Sequence, residues 1–277
     1  MKTLYVSDMD GTLLNRDSVV SSRSAAMLSE IVEAGALFTV ATARTPATVE
    51  PLLAQVRTDL PAIVMTGAAL WDRRRQRYVD PIFLSRDEAD AAVRECLREG
   101  VHPFVYRLGE DNFLNVYHSR PEMTRPERHF VEDRLRLKLK KFHLGVCDSR
   151  LFGHDDAILL FAIGPLKAIY RLRDWLLANT DCSVSAYPDI FHPETANLEI
   201  FGPGVSKAAA IRRLADRVGA DSVTVFGDNL NDLPMFDVAD RAVAVANAVP
   251  EVLDRADLVI GQNTIDSVPK FIYDEIF

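Results

Sequence analysis

The chain has 277 residues, 48% hydrophobic and 26% charged, with 32 basic against 40 acidic residues and a formal charge of -8. Such a length suggests two domains, and such a composition an ordinary globular protein with a large core. The acidic balance argues against nucleic acid or an anionic membrane as partner, and three cysteines without C-x-x-C spacing suggest neither a disulfide framework nor a zinc site.

Taken in order, Leu4 to Ser7 reads as a strand, followed by Asp8-Met9-Asp10-Gly11-Thr12-Leu13. Ser22 is expected to cap a helix with Leu28, Ile31 and Val32 on one face, ended by Gly35. Leu37 to Ala41 is a second strand, Thr45-Pro46 opens a helix with a stripe of Val49, Leu52, Leu53 and Val56, and Ala62 to Met65 is a third strand. This βαβαβ pattern predicts a parallel sheet with helices on both faces. Leu70-Trp71 and Arg77-Tyr78-Val79 then read as a hairpin, and Pro81 as a hinge.

In the middle of the chain Ser85 and Glu88 form a capping box for a helix closed by Gly100. Strands are expected at Phe104 to Leu108, Phe113 to Tyr117, Ala157 to Ile163, Cys182 to Ala186 and Asn197 to Phe201, with a helix from Pro165. Arg134 to Phe142 alternates basic and apolar residues and reads as an amphipathic strand with a solvated basic face. Cys96, Cys147 and Cys182 read as small buried hydrophobes. From Ser206 the alternation resumes: a helix to Val218 stopped by Gly219, then strands at Ser222 to Phe226, Ala242 to Val245 and Leu258 to Ile260. The expected organisation is a core from residues 1–83 and 197–277, interrupted by an α+β module at 84–196. With neither a signal peptide nor a bilayer-spanning run visible, a cytoplasmic location is expected.

Four short segments concentrate the chemistry. Asp8 and Asp10 stand where the first strand gives way to a loop, the end of a strand at which open α/β sheets bind ligands. Gly11 lets the backbone turn sharply and approach a bound anion, although the same residues also suit a plain Asp-Gly turn. Thr42, in Ala41-Thr42-Ala43-Arg44, ends the second strand with a hydroxyl able to meet a phosphate oxygen or to cap a helix. Lys207 sits at a helix start, against the helix dipole, a placement that a bound anion would explain. Gly227-Asp228-Asn229-Leu230-Asn231-Asp232 comes after another strand, and Asp8, Asp10 and Asp228 together offer hard oxygen ligands suited to Mg²⁺.

With these four segments in this order, the chain resembles the haloacid dehalogenase superfamily, and within it the Cof-type phosphatases, over nearly its whole length. Gly204-Val205-Ser206-Lys207 and Val245-Ala246-Asn247-Ala248 match as well. The resemblance implies a Rossmann-like parallel-sheet core with an inserted α+β cap, and a Mg²⁺-dependent phosphatase of small phosphate monoesters, sugar phosphates first among them. It implies that Asp8 is the nucleophile that forms an aspartyl-phosphate, and that Asp10 protonates the leaving oxygen and then activates water. Thr42 and Lys207 would hold the phosphoryl oxygens, Asp228 would ligate Mg²⁺ with Asp8 and the Asp10 carbonyl, and Asn231 and Asp232 would support them. Two departures stand out: Ala43 where the family usually has glycine, and Thr66-Gly67-Ala68 where it often has Asn-Gly-Ala.

The expected partner is a small phosphorylated metabolite, with the oligomeric state left open. A phosphosugar mutase would use the same aspartyl-phosphate, and a non-catalytic sensor would have lost a carboxylate or Lys207. The cap is expected to close over the site on linkers near Pro81 and Asn197. Specificity candidates are Arg44 and, on the cap strands, Tyr106, Arg107, Asn115, Tyr117 and His118; which of these face the cleft depends on strand register.

Overall fold

The apolar run before Asp8 becomes an inner strand of a five-stranded parallel sheet. The computed structural model describes residues 2–120, 122–189 and 191–277, and separates into two compact units, Met1–Asp80 with Ser206–Phe277, and Pro81–Val205. The first unit opens with β1 (Thr3–Ser7), α1 (Ser22–Glu33), β2 (Leu37–Val40), α2 (Pro46–Leu52), β3 (Ala62–Val64), β4 (Ala69–Asp72) and β5 (Arg77–Val79). The second holds α3 (Arg86–Arg98), β6 (Phe104–Leu108), β7 (Leu114–His118), α4 (Arg125–Glu132), β8 (Lys140–Leu144), β9 (Ala157–Pro165), α5 (Leu166–Asn179), β10 (Ser183–Pro188) and β11 (Thr195–Phe201). The first unit resumes with α6 (Lys207–Val218), β12 (Ser222–Gly227), α7 (Leu233–Phe236), β13 (Arg241–Val245), α8 (Pro250–Leu253), β14 (Leu258–Ile260) and α9 (Ser267–Ile276).

The parallel sheet runs β14-β13-β12-β1-β2, with Ser7 opposite Phe226 on one side and Val40 on the other. Leu4, Val6, Phe38, Val225 and Val243 are buried, the continuous apolar character of strands covered on both faces. The expected α/β class, a parallel-sheet core with an α+β insertion, is the class observed. The third expected strand behaves differently. β3 runs beside the end of β2, linked by a parallel Ala41–Ile63 bridge just beyond it, and otherwise joins β4 and β5 in an antiparallel sheet. The cause is the turn at Met65, Thr66 and Gly67, all at positive φ, which sends the chain back along β3.

The helix at residue 22 is capped by Ser21 rather than Ser22: the Ser24 N–H donates to the Ser21 hydroxyl at 2.9 Å. At the far end of the chain α9, not anticipated from the sequence, is tied to α1 because the Ser21 and Ser24 hydroxyls both donate to Asp266. None of the described helices is long and apolar enough to cross a membrane.

The second unit is built on a six-stranded sheet, β10-β11-β9-β6-β7-β8, antiparallel except for the β7–β8 pair. α3 and α5 cover one face, burying Val105, Leu160, Ala162, Leu198 and Ile200 beneath them. Phe104, Phe142 and Phe161 meet Phe130 of α4 on the other. α4, also not anticipated, starts at a second capping box, Thr124 with Glu127. The amphipathic strand expected over Arg134 to Phe142 is confined to its end, since Leu139 at φ +66° breaks the extended backbone before β8. Cys147 is exposed, unlike Cys96 and Cys182.

The second boundary also shifts. Asn197, expected as a linker, lies inside β11, paired with Tyr187 on β10 and Ile163 on β9. A cut at residue 196/197 would split a strand that is hydrogen-bonded on both sides, and the division falls instead between Val205 and Ser206.

Candidate active site

Three parallel strands deliver their carboxyl ends to one edge of the first unit's sheet. Asp8 follows β1, Asp228 follows β12 and Thr42 lies just beyond β2. β1 lies between the other two, so their following loops converge. Asp8 is held by its own backbone, its N–H donating to the Phe226 carbonyl at 2.9 Å. The chain then winds through a tight turn over Met9–Leu13 that Gly11 makes possible at φ +79°. A Cβ at Gly11 would run into the Asp228 carboxylate, so glycine is required for both backbone angle and space.

At the centre is a buried charge cluster. Lys207 Nζ donates to Asp8 Oδ1 at 2.5 Å and to Asp232 Oδ1 at 2.8 Å. The lysine side chain is 2% exposed, Asp8 8% and Asp232 0%. Ser206 caps α6 by accepting from the Ala209 N–H at 3.0 Å, which fixes the helix start from which Lys207 reaches inward. The second oxygen of Asp232 accepts from the N–H groups of Asp228 and Asn229 at 3.1 and 3.2 Å. Asp232 is therefore committed to shaping its loop and holding Lys207. Asp228 is oriented by the Thr12 hydroxyl, which donates to its Oδ1 at 2.9 Å.

Three carboxylates, Asp8, Asp228 and Asp232, bring oxygens within 4.8 Å of one another. Burial pushes Asp8 up to about 8, with Asp232 and Asp228 adding to it against the pull of Lys207. Burial likewise pushes Asp228 up to about 6, while the Thr12 hydrogen bond draws it down. Burial opposes the charge on Lys207, but Asp8 and Asp232 outweigh it and raise its pKa. One ammonium thus faces three carboxylates, and the cluster lacks positive charge. A hard divalent cation would supply that charge, and the donor set is entirely oxygen. The residues present fit Mg²⁺: Asp8 and Asp228 each keep an oxygen with no hydrogen-bond donor among the described residues, whereas both oxygens of Asp232 are taken.

Around this centre the structure places the other expected residues unevenly. Asp10 is bound on both carboxylate oxygens by the Arg44 guanidinium, at 2.6 and 2.7 Å. Thr42 is buried, its hydroxyl accepting from the Arg44 N–H at 3.2 Å. Asn231 is exposed, and the capping of that turn is done by Asn229. Two contributors were not singled out from the sequence. Thr12 lies inside the first motif, and Asn247, inside the Val245–Ala248 match, donates to the Gly11 carbonyl at 2.8 Å. Their presence in motifs was a signal, but only the folded chain shows what they touch.

The specificity candidates of the second unit fall on opposite faces of its sheet. Tyr106 and His118 share the face of Phe104, and both are buried; His118 stacks on Phe104 with ring centroids 4.2 Å apart. Arg107, Asn115 and Tyr117 point the other way, because neighbours along a strand alternate. Those three satisfy nearby groups: Arg107 pairs with Asp156 at 2.6 Å and lies over the Tyr117 ring, and Asn115 bonds His143. The five cannot all line one surface.

The model of the haloacid dehalogenase-like hydrolase family matches residues 5–272. The chain belongs to this family. Membership, together with relatives named as phosphatases, supports the enzyme class expected from the sequence, a hydrolase of phosphoric monoesters. Among relatives of this hydrolase, the 5-amino-6-(5-phospho-D-ribitylamino)uracil phosphatase YwtE of Bacillus subtilis is 26% identical, covering 98% of this chain and 97% of its own. The pyridoxal phosphate phosphatase YbhA of Escherichia coli is 25% identical, with 97% of each covered. A haloacid dehalogenase-like hydrolase from Bacteroides thetaiotaomicron shares the fold, with a TM-score of 0.79, 20% identity and full coverage of both chains.

Proposed function

We propose that this hydrolase is a Mg²⁺-dependent phosphatase that cleaves small phosphate monoesters, sugar phosphates first among them, through an aspartyl-phosphate on Asp8. The observation that carries the reading is the buried Asp8–Lys207–Asp232 cluster at the ends of the central strands, with Asp228 beside it. The named activities of the two relatives, on phosphorylated ribitylaminouracil and on pyridoxal phosphate, support a small phosphorylated metabolite as substrate.

In this reading an Asp8 carboxylate oxygen forms a bond to phosphorus as the bond to the leaving oxygen breaks, and Asp10 gives its proton to that oxygen. Water then attacks phosphorus, Asp10 takes its proton, and the Asp8–phosphorus bond breaks to release phosphate. Lys207, held by Asp232, places fixed positive charge beside the nucleophile, and Thr42 offers its hydroxyl proton to a phosphoryl oxygen. Mg²⁺, held by Asp8, Asp228 and the Asp10 carbonyl, would offset the repulsion between an anionic nucleophile and a dianionic ester. A phosphate-release screen over phosphorylated sugars, nucleotides and cofactors, with and without Mg²⁺, tests the proposal. Isomer formation without phosphate release, or full activity in EDTA, would overturn it.

A further inference from the structure

Asp10 has a second engagement that the hydrolytic reading leaves unused. Arg44 Nε donates to Asp10 Oδ2 at 2.7 Å and Nη2 to Oδ1 at 2.6 Å. Such a paired geometry is the strong form of an ion pair, and it occupies both of the oxygens that a proton transfer would use. A carboxylate gripped in this way has neither oxygen free of the guanidinium. The pair is nevertheless accessible, with Asp10 54% and Arg44 28% exposed, so water screens it and the partners exchange at modest cost.

The main chain of Arg44 is pinned on both sides. Its N–H donates to the Thr42 hydroxyl, and its carbonyl accepts from the Met65 N–H at 2.9 Å. Met65, Thr66 and Gly67 lie at φ +48°, +56° and +95°, a left-handed run that side chains rarely adopt. A Cβ at Gly67 would strike the carbonyl of Ser206, the cap residue of the helix that carries Lys207. The backbone at Arg44 is thus braced between Thr42 and a strained turn seated on α6, and movement there belongs to the arginine side chain.

We propose that Arg44 is an exchange residue: it holds Asp10 until an oxyanion of the substrate competes for its guanidinium, and its transfer to that oxyanion frees Asp10 for proton transfer. The proposal rests on the phosphatase reading, in which Asp10 handles the proton. The guanidinium fork matches two phosphate oxygens as well as two carboxylate oxygens, and a phosphate dianion carries the greater charge. Binding of ligand and release of Asp10 are then one event, and the Asp10–Arg44 pair lowers ligand affinity by the fraction of arginine it holds back.

Equilibrium binding of inorganic phosphate by calorimetry, with Mg²⁺ present and no turnover involved, tests this in wild type, Asp10→Asn, Arg44→Gln and the double variant. Asp10→Asn should tighten phosphate binding about fivefold where Arg44 is present and leave it unchanged where residue 44 is glutamine. Arg44→Gln alone should weaken binding, and Arg44→Lys, which keeps the charge but loses the fork, should fall between. Equal tightening by Asp10→Asn in both backgrounds would mean that only repulsion of the dianion had been removed, and would overturn the exchange. So would wild-type affinity in Arg44→Gln. Failure of the wild-type protein to bind phosphate at all would overturn the phosphatase reading along with it.

Discussion

Both units are built from strands and helices, but they distribute polar groups in opposite ways. In the first, parallel strands point the same way, so the loops after β1, β2 and β12 meet at one edge and carry Asp8, Thr42 and Asp228 there. In the second, antiparallel neighbours send their ends to opposite edges, and side-chain alternation divides the polar residues between two faces. Its charged groups settle into local pairs such as Arg107–Asp156 and Arg171–Glu99. Strand direction therefore decides whether carboxylates are concentrated, at an electrostatic cost that a cation offsets, or dispersed and satisfied where they stand.

Substitutions in each unit put that contrast to the test. Asp8→Asn keeps the shape of the side chain and removes its nucleophilicity, so kcat should fall by ~10⁴ or more with the circular dichroism spectrum unchanged. Near-normal phosphate release from the pure variant would dismantle the first unit's chemistry as described. Lys207→Met leaves Asp8 and Asp232 buried without their cation. A destabilisation of about 3–5 kcal/mol in urea titrations is expected, together with loss of turnover. In the second unit the comparable vulnerability is apolar: Leu160→Ala should cost about 2–5 kcal/mol. While the protein remains folded, turnover of a small aryl phosphate should be retained, and a collapse of kcat under those conditions would show that the chemistry is not confined to the first unit.

The next effect is smaller. Asp228, pushed up to about 6, must lose its proton to ligate a cation. Below that value each further unit of acid should raise the Mg²⁺ concentration needed for half-maximal activity by about tenfold on account of Asp228, and above it the contribution of Asp228 should level off. A Mg²⁺ requirement that does not change between pH 5 and pH 8 would remove Asp228 from the cation site. The smallest effect belongs to the second unit's surface: Arg107→Ala loses a partly exposed ion pair and a stacking contact, and thermal denaturation should register no more than about 1 kcal/mol.

The sequence alone determined the features that arise from local pattern. Runs such as Leu4 to Ser7 and Val223 to Phe226 are strands because continuous apolar character suits a sheet covered on both faces, and Ser85 with Glu88 starts a helix because the cap is a three-residue interaction. The positions of Asp8, Asp228 and Lys207 were legible for the same reason, each standing at the junction of a strand or helix with a loop. Only the tertiary structure decided which groups meet. That Lys207 reaches both Asp8 and Asp232, that Arg44 takes Asp10, and that Thr12 orients Asp228 are contacts across 199, 25, 34 and 216 residues of sequence. The same holds for β11, whose place in the second unit is set by ladders to β9 and β10, and for the side to which Tyr106 and Arg107 point. Periodicity identifies a strand and a cap identifies a helix start, but register, pairing and charge neutralisation are properties of the folded chain, because they depend on groups brought together only when the sheets assemble.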